Sequence, residues 1–436
     1  MSAPASSPAT RTSLSVRVVP AISEISSAAW DACANPGVSN LQAIPSGVRK
    51  PFRATAVLPS QRSQLPHEDK KEPLVFSYNP FISHDFLLSL EASLSATGRT
   101  GWQPQHVLVE SPTGEILAAA PCYLKSHSRG EYVFDQGWAE AYERAGGLYY
   151  PKLQVSVPFT PAPGRRLLVK SGAQSQAAKT ALAAGLVALC QRRGASSVHA
   201  TFLTDDEWRF LAARGFLQRI DQQFHWNNAA YDSFEDFLSV LAARKRKLIR
   251  RERRDALTHG ISVHWLTGSD LTEGIWDAFF DFYMDTGSRK WGRPYLTRPF
   301  FSMVGEKMRD RILLVMAKRA GRFIAGALNF IGSDTLFGRH WGAVENHPFL
   351  HFELCYYQAI EYAIANKLKR VEAGAQGEHK VARGYVPLTT YSSHYIADPA
   401  LRQAIADYLK RERAYVQAAG EELAALTPFR KNREEE

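Results

Sequence analysis

Residues 14–19 alternate between apolar and polar side chains and are rich in β-branched types, which predicts a short strand, and 23–33 read as a serine-capped helix. From 35 to 73 the chain is rich in Pro, Ser, Gln and Arg without a sustained apolar period, which predicts a mobile insertion outside any core. A helix follows over 83–96, then strands over 106–110 and 115–125 joined by a hairpin at Gly114, and a loop carrying the aromatic stretch 132–138. A strand over 152–159, a turn at Gly164-Arg165-Arg166, an Ala- and Leu-rich helix over 175–193, a strand over 197–203 and a helix over 205–214 complete the first half.

The second half repeats this grammar: a helical region over 234–258, a strand over 261–266, a helix over 271–289, strands over 312–319, 323–331 and 336–343, a helix over 352–366 and a strand over 370–375. Hairpin, strand, turn, long helix and strand therefore recur roughly 180 to 200 residues apart. The closest local echo pairs Gly114-Glu115-Ile116-Leu117-Ala118-Ala119-Ala120 with Gly321-Arg322-Phe323-Ile324-Ala325-Gly326-Ala327. Either an internal duplication or the common pattern of hairpins accounts for it. Beyond these, Asp398-Pro399 starts a helix over 400–426 whose Leu401, Ile405, Tyr408 and Leu409 form one docking face, and 430–436 read as a frayed charged tail. The expected organisation is a disordered 1–13, a first unit over 14–225 interrupted by the insertion, a second over 226–399, and a C-terminal helix and tail over 400–436.

Composition supports two buried cores, because 436 residues exceed the usual size of one and 45% of them are apolar. Four cysteines, Cys33, Cys122, Cys190 and Cys355, stand apart from one another and from any histidine cluster, so neither a disulfide framework nor a metal site is expected. The N-terminus lacks a signal-like apolar core and the longest apolar run, 116–124, is too short to span a bilayer, which leads us to expect a cytoplasmic protein. A net charge of +10 points to an anionic partner: a phosphate-bearing cofactor, RNA or an acidic membrane surface. Much of the excess lies in 244–254, where eight of eleven residues are basic and Glu252 is the one acid. At helical spacing Arg244, Lys247, Arg251 and Arg254 form a stripe suited to a phosphate backbone or an anionic membrane, or else a solvated helix face.

The strings Gly338-Arg339-His340-Trp341-Gly342, His351-Phe352-Glu353-Leu354-Cys355-Tyr356-Tyr357-Gln358 and Glu372-Ala373-Gly374-Ala375-Gln376-Gly377-Glu378-His379-Lys380, together with Val157-Pro158-Phe159-Thr160-Pro161, resemble the bacterial FemAB-like proteins of peptidoglycan biosynthesis or recognition. The resemblance spans most of the chain outside the insertion and tails. It implies an α/β fold with mixed sheets, two GNAT-like acyltransferase units in tandem, and transfer of an acyl or aminoacyl group from acyl-CoA or aminoacyl-tRNA to an amine acceptor. No tightly bound cofactor and no DNA partner follow from it. Fem enzymes carry a Phe-Lys-x-x-Phe-Gly signature, to which His379-Lys380-Val381-Ala382-Arg383-Gly384 is similar at Lys380 and Gly384, with both aromatics replaced.

Acyl transfer needs a proton acceptor for the attacking ammonium, donors for the developing oxyanion and groups to hold the donor's phosphates. His340, Glu353, Glu372, Glu378 and His379 are the candidate proton acceptors, and Arg339, Lys380 and Arg383, with Gly384, the candidate phosphate or carboxylate binders. A GNAT fold holds the donor pyrophosphate where a central strand meets the next helix. Gly164, Arg165 and Arg166 are the better electrostatic match, and 344–351 is the second place; neither carries the fuller Gln/Arg-x-x-Gly-x-Gly/Ala pattern. Against these stand plainer roles: His340 and Trp341 as core side chains, and Glu353 as a partner of its helix dipole. The richer polar motifs favour the second half as the working one. A non-catalytic protein recognising peptidoglycan fragments or an anionic partner is the alternative.

Overall fold

The computed structural model describes residues 13–37, 77–291, 294–374 and 377–430. Most of the expected insertion, from 38 on, lies outside these residues, as do 1–12 and 431–436.

Side-chain oxygens set the helix starts: Ser26, Ser83, Thr204, Ser233 and Asp398 each accept a hydrogen bond from the backbone N–H three residues on. In order the first half contains β1 (Ser15–Val19), α1 (Ser27–Ala34), α2 (His84–Ala92), β2 (Trp102–Pro104), β3 (His106–Glu110), β4 (Ile116–Ala120), β5 (Cys122–Lys125), α3 (Gln136–Arg144), β6 (Lys152–Val155), β7 (Leu168–Val169), α4 (Ser175–Arg192), β8 (Ser197–Leu203), α5 (Asp205–Ala212) and β9 (Leu217–Asn227). The second half contains α6 (Phe234–Ser239), α7 (Ala243–Ala256), β10 (Ser262–Leu266), α8 (Glu273–Trp291), α9 (Arg298–Lys307), β11 (Ile312–Arg319), β12 (Arg322–Ile331) and β13 (Thr335–Ala343). It continues with α10 (Leu350–Phe352), which passes through a π-helical turn (Glu353–Tyr357) into α11 (Gln358–Ala365), then β14 (Arg370–Glu372), a 3-10 turn (Glu378–Arg383), β15 (Val386–Ile396) and α12 (Pro399–Ala425).

The strand expected over 115–125 is split at Pro121, which has no N–H to give to a ladder; β4 stays in a four-stranded sheet, β1-β3-β4-β7, while β5 enters an eleven-stranded one. The larger sheet runs β10-β11-β12-β13-β14-β9-β15-β8-β6-β5-β2 and links both halves. Its two parallel pairs are β6 with β8 and β13 with β14, and its other pairs are antiparallel. Both parallel pairs have the same shape. Residues 153–155 pair with 198–200, and 335–337 with 370–372, after which the strands diverge. In each half a helix, α4 or α10–α11, connects the diverging strands. The fold is thus α/β with mixed sheets, and each half contains one pair of diverging parallel strands. One strand crosses between the halves: β15, late in the chain, lies between β8 and β9 of the first half.

Helices cover both sheet faces. On one, α4 and α5 pack on the first half and α6, α7, α10 and α11 on the second. On the other, α1, α2, α8 and α9 meet in a core shared by both halves, rich in Phe81, Phe86, Phe300, Phe330 and Phe337, and α3 and α12 extend this layer. Several elements depart from the expected pattern: residues 136–144 form α3 where a loop was expected, the short strands β2 and β7 were not expected, and α9, β9 and β15 carry no clear apolar period. Under α3 the strands carry buried polar groups. Lys152 Nζ donates to Ser128 Oγ (2.8 Å), Glu131 Oε2 (2.7 Å) and Asp135 Oδ2 (2.5 Å), and the His199 and His394 ring nitrogens lie 2.6 Å apart.

Candidate functional site

The second divergence, between β13 and β14, carries the densest chemistry. Asn329 faces Gly338 and Leu328 faces His340, so Arg339 is the extra residue of a β-bulge. The bulge turns two consecutive side chains toward the shared core. Arg339 donates from Nη2 to the Phe159 carbonyl (2.5 Å), bonds the Tyr132 hydroxyl and lies 5.7 Å from the Phe81 ring. His340 meets the Tyr283 ring edge-on at 5.2 Å. Trp341 points to the opposite face, against His351. Gly342 lets α8 press against the strand, since a Cβ there would collide with the Phe282 backbone.

Glu372 ends β14 at the point of divergence, on the same face as Arg339, with 6% of its surface exposed. Burial pushes its carboxyl up to about 8, while the nearby Arg370, Arg339 and Arg166 pull it down. Among the described residues no group donates a hydrogen bond to it. His225, its partner across β9, brings Nδ1 to 3.9 Å, and that nitrogen has no hydrogen-bond partner either. Burial first, then neighbouring cations, hold the imidazoles of His225 and His340 down at about 3, so both are neutral. The group is therefore a buried carboxyl with a raised pKa, near the Arg339 guanidinium and beside the neutral imidazole of His225.

Arg339 and His340 of this group also border the seam between the halves. Pro158, Phe159 and Thr160 face Leu296, Phe300, Arg339 and His340 around a cavity of about 10 Å³, room for roughly one water. Phe159 stacks on Tyr295 at 4.8 Å, and the Tyr283 hydroxyl accepts the N–H groups of Tyr295 (3.0 Å) and Leu296 (3.1 Å), fixing the segment before α9.

Past β14 the chain turns through the 3-10 segment toward α7. Lys380 Nζ caps the carbonyls of Ala373 (2.7 Å) and Gly374 (3.1 Å), and burial lowers its pKa to about 8. Arg383 binds Glu252 Oε1 (2.7 Å) and the His379 carbonyl (2.7 Å) and stacks on Phe352 at 3.6 Å. Gly384 closes the turn at φ 92°, a left-handed conformation that suits glycine. His379 is exposed, with Nε2 3.0 Å from the Tyr356 hydroxyl. The side chain of Glu378 lies outside the described residues.

Other candidates are held by structural partners. Glu353 is fully buried against Arg253 (2.9 Å) and Gln358 (2.7 Å). Arg165 donates to the Cys33 (3.1 Å) and Ala34 carbonyls, and Arg166 to the Ala162 (2.7 Å) and Arg165 (3.0 Å) carbonyls. The backbone N–H of Gly164 bonds the Phe202 carbonyl (2.9 Å), so this loop fills the first divergence with its own atoms. The structure thus places Arg339 near Glu372, with His340 next to Arg339 on the bulge and Lys380 just beyond the end of β14, and it gives Glu353 and Arg165 other partners. Arg244, Lys247, Arg251 and Arg254 lie exposed along α7, whose inner face is Ile249, Glu252 and Ala256. Sequence reasoning missed Tyr132, His225 and Tyr283. The first sits in the aromatic stretch assigned to a loop, and the second in a strand without apolar periodicity.

A family model described as peptidoglycan biosynthesis/recognition, FemAB-like, matches residues 62–431. No curated protein matches the chain. Among solved structures, FemX is 13% identical, with 72% of this chain and 93% of that one covered and a TM-score of 0.45. L-PGS from Bacillus licheniformis is 8% identical over 78% and 99% at 0.45, and a tandem GNAT protein from the clavulanic acid biosynthesis pathway is 12% identical over 89% and 99% at 0.40. Among the described residues no helix is long and apolar enough to cross a membrane.

Proposed function

The chain belongs to the FemAB-like family, and from that membership we propose that it is an N-acyltransferase working at the divergence of β13 and β14. The observation that carries this reading is Glu372: a buried carboxyl without a hydrogen-bond donor among the described residues, beside the bulged Arg339. In this reading Glu372 takes a proton from the acceptor's ammonium, and the freed amine attacks the acyl carbonyl carbon. The C–N bond forms, the bond from the acyl carbon to the carrier's sulfur or oxygen breaks, and the carrier leaves as a thiol or hydroxyl carrying a proton. Arg339 and the backbone N–H groups of the bulge stabilise the developing oxyanion. The amine enters from the seam lined by Phe159 and Leu296, and the carrier lies on the opposite face near Trp341, Tyr356 and His379.

The donor is acyl-CoA or aminoacyl-tRNA and the acceptor an amine of a cell-wall precursor, with the reaction in the cytoplasm. We count 14–225 and 226–399 as the two GNAT-like units, the second holding the working site. His340 lines the pocket as a neutral hydrogen-bonding group, Lys380 and Arg383 with Gly384 shape the donor side, and Glu378 and His379 border its mouth.

The purified protein is to be mixed with labelled acyl-CoA or aminoacyl-tRNA and an amine acceptor. Glu372→Gln is expected to retain donor binding and lose transfer by about 10²–10⁴-fold, the usual contribution of a general base. Donor-independent binding of a peptidoglycan fragment, with no transfer from either carrier, supports the recognition reading named in the family's description.

A further inference from the structure

The basic helix α7 has an outer face that the acyl-transfer reading does not use. Arg244, Lys247, Arg250, Arg251 and Arg254 are all exposed there, and they extend over about 15 Å at helical rise. Its inner face is anchored to the body at two points, Glu252 to Arg383 and Arg253 to Glu353 and Glu361, so the helix presents its cations from a fixed base. Compensation on the outer face is thin. Arg250 pairs with Glu235, and Arg251 and Arg254 share Asp255 at 3.6 and 3.0 Å. Among the described residues Arg244, Lys245 and Lys247 have no ion pair.

Exposed aliphatic side chains stand near both ends of the same helix. At its start, the Ala242 N–H bonds the Pro428 carbonyl (2.9 Å) and Leu241 bridges to Phe429, which brings up Leu426 with 62% of its surface exposed. Beyond its end, the His259 ring lies 6.4 Å from that of His347, in the loop that starts with Val344, 53% exposed. Arg430, also exposed, adds a further cation at the first end.

We propose that α7, with Leu426 and Val344 flanking it, is a docking surface for an anionic lipid bilayer. The cations match a negative headgroup layer, and the two aliphatic residues suit its apolar boundary. No aromatic side chain of α7 is available to stack a base, which sets the face apart from a single-stranded nucleic-acid platform. The proposal does not depend on the acyl-transfer reading, and its test involves binding alone.

The full chain is to be sedimented with vesicles of phosphatidylcholine containing about one third phosphatidylglycerol and with vesicles of phosphatidylcholine alone, at about 0.1 M and about 0.5 M salt. Each cation near such a surface strengthens binding roughly fivefold, so Arg244→Glu/Lys247→Glu/Arg251→Glu is expected to bind anionic vesicles at least about a hundredfold more weakly. The neutral Lys247→Gln/Arg251→Gln variant should fall by roughly twentyfold with unchanged circular dichroism, and Leu426→Ser by a few-fold at the higher salt. Absence of binding to the anionic vesicles, or binding that the triple variant keeps, overturns the proposal. So does tighter binding to a mixed RNA pool that the same substitutions abolish, which assigns the face to nucleic acid.

Discussion

Replacing Glu372 with Gln should separate the functional from the structural meaning of this carboxyl. Its ordinary value is 4.5 and burial raises it to about 8 in the folded chain. Between those values the unfolded chain releases the proton while the folded chain retains it. Folding stability therefore falls as pH rises through that window, and the penalty is complete above about 8. At about 1.36 kcal/mol per pH unit the full difference is about 4–5 kcal/mol, and roughly half of that is expected once the site relaxes. Gln has nearly the same shape and cannot ionise. Glu372→Gln should thus be about as stable as the parent near pH 4.5 and about 2 kcal/mol more stable near pH 9, as read from urea midpoints at several pH values. The same variant should be inactive in transfer, and the parent's activity should rise with pH toward the carboxyl's pKa of about 8. A variant destabilised equally at every pH, or one that keeps its activity, would falsify this assignment of the base.

Lys152→Met leaves the Glu131 and Asp135 carboxyls buried without their shared cation, and a loss of about 3–5 kcal/mol is expected in chemical denaturation; a loss below about 1 kcal/mol would mean that the cluster does not hold α3 to the sheet. Arg383→Ala, Glu252→Ala and the double variant should show coupling of about 1–3 kcal/mol in a double-mutant cycle, and additive losses would contradict the bidentate contact. Arg339→Lys, which keeps the charge and loses the fork that reaches both Phe159 and Tyr132, should reduce transfer by roughly tenfold or more while the melting curve barely moves.

Elements with one apolar face were legible from the chain alone. The α4 helix, the strands β11 to β13 and the long α12 occur close to where periodicity predicts them, because each packs one hydrophobic side on a core. The strands β9 and β15 were not, although each is eleven residues long. Their inner positions carry Arg219, Gln223 and His225, and Ser392 and His394, all buried under α3, α12 or the seam. A strand whose buried side is polar loses the alternation on which the reading depends. The site was legible in part for a related reason. Arg339, His340 and Glu372 stand out as ionisable residues within apolar strands, whereas pairing Glu372 with His225 requires knowing that β14 and β9 lie side by side.

The insertion of β15 between β8 and β9 also bears on how the molecule is made. Residues His199 and His394 on β8 and β15 lie 195 positions apart, so β8 and β9 can be bridged only after the chain has been synthesised through β15. Until then the facing edges of β8 and β9 lack the strand that joins them, an aggregation-prone gap in the nascent protein. Early termination anywhere upstream of Val386 would strand both halves, including the one already synthesised.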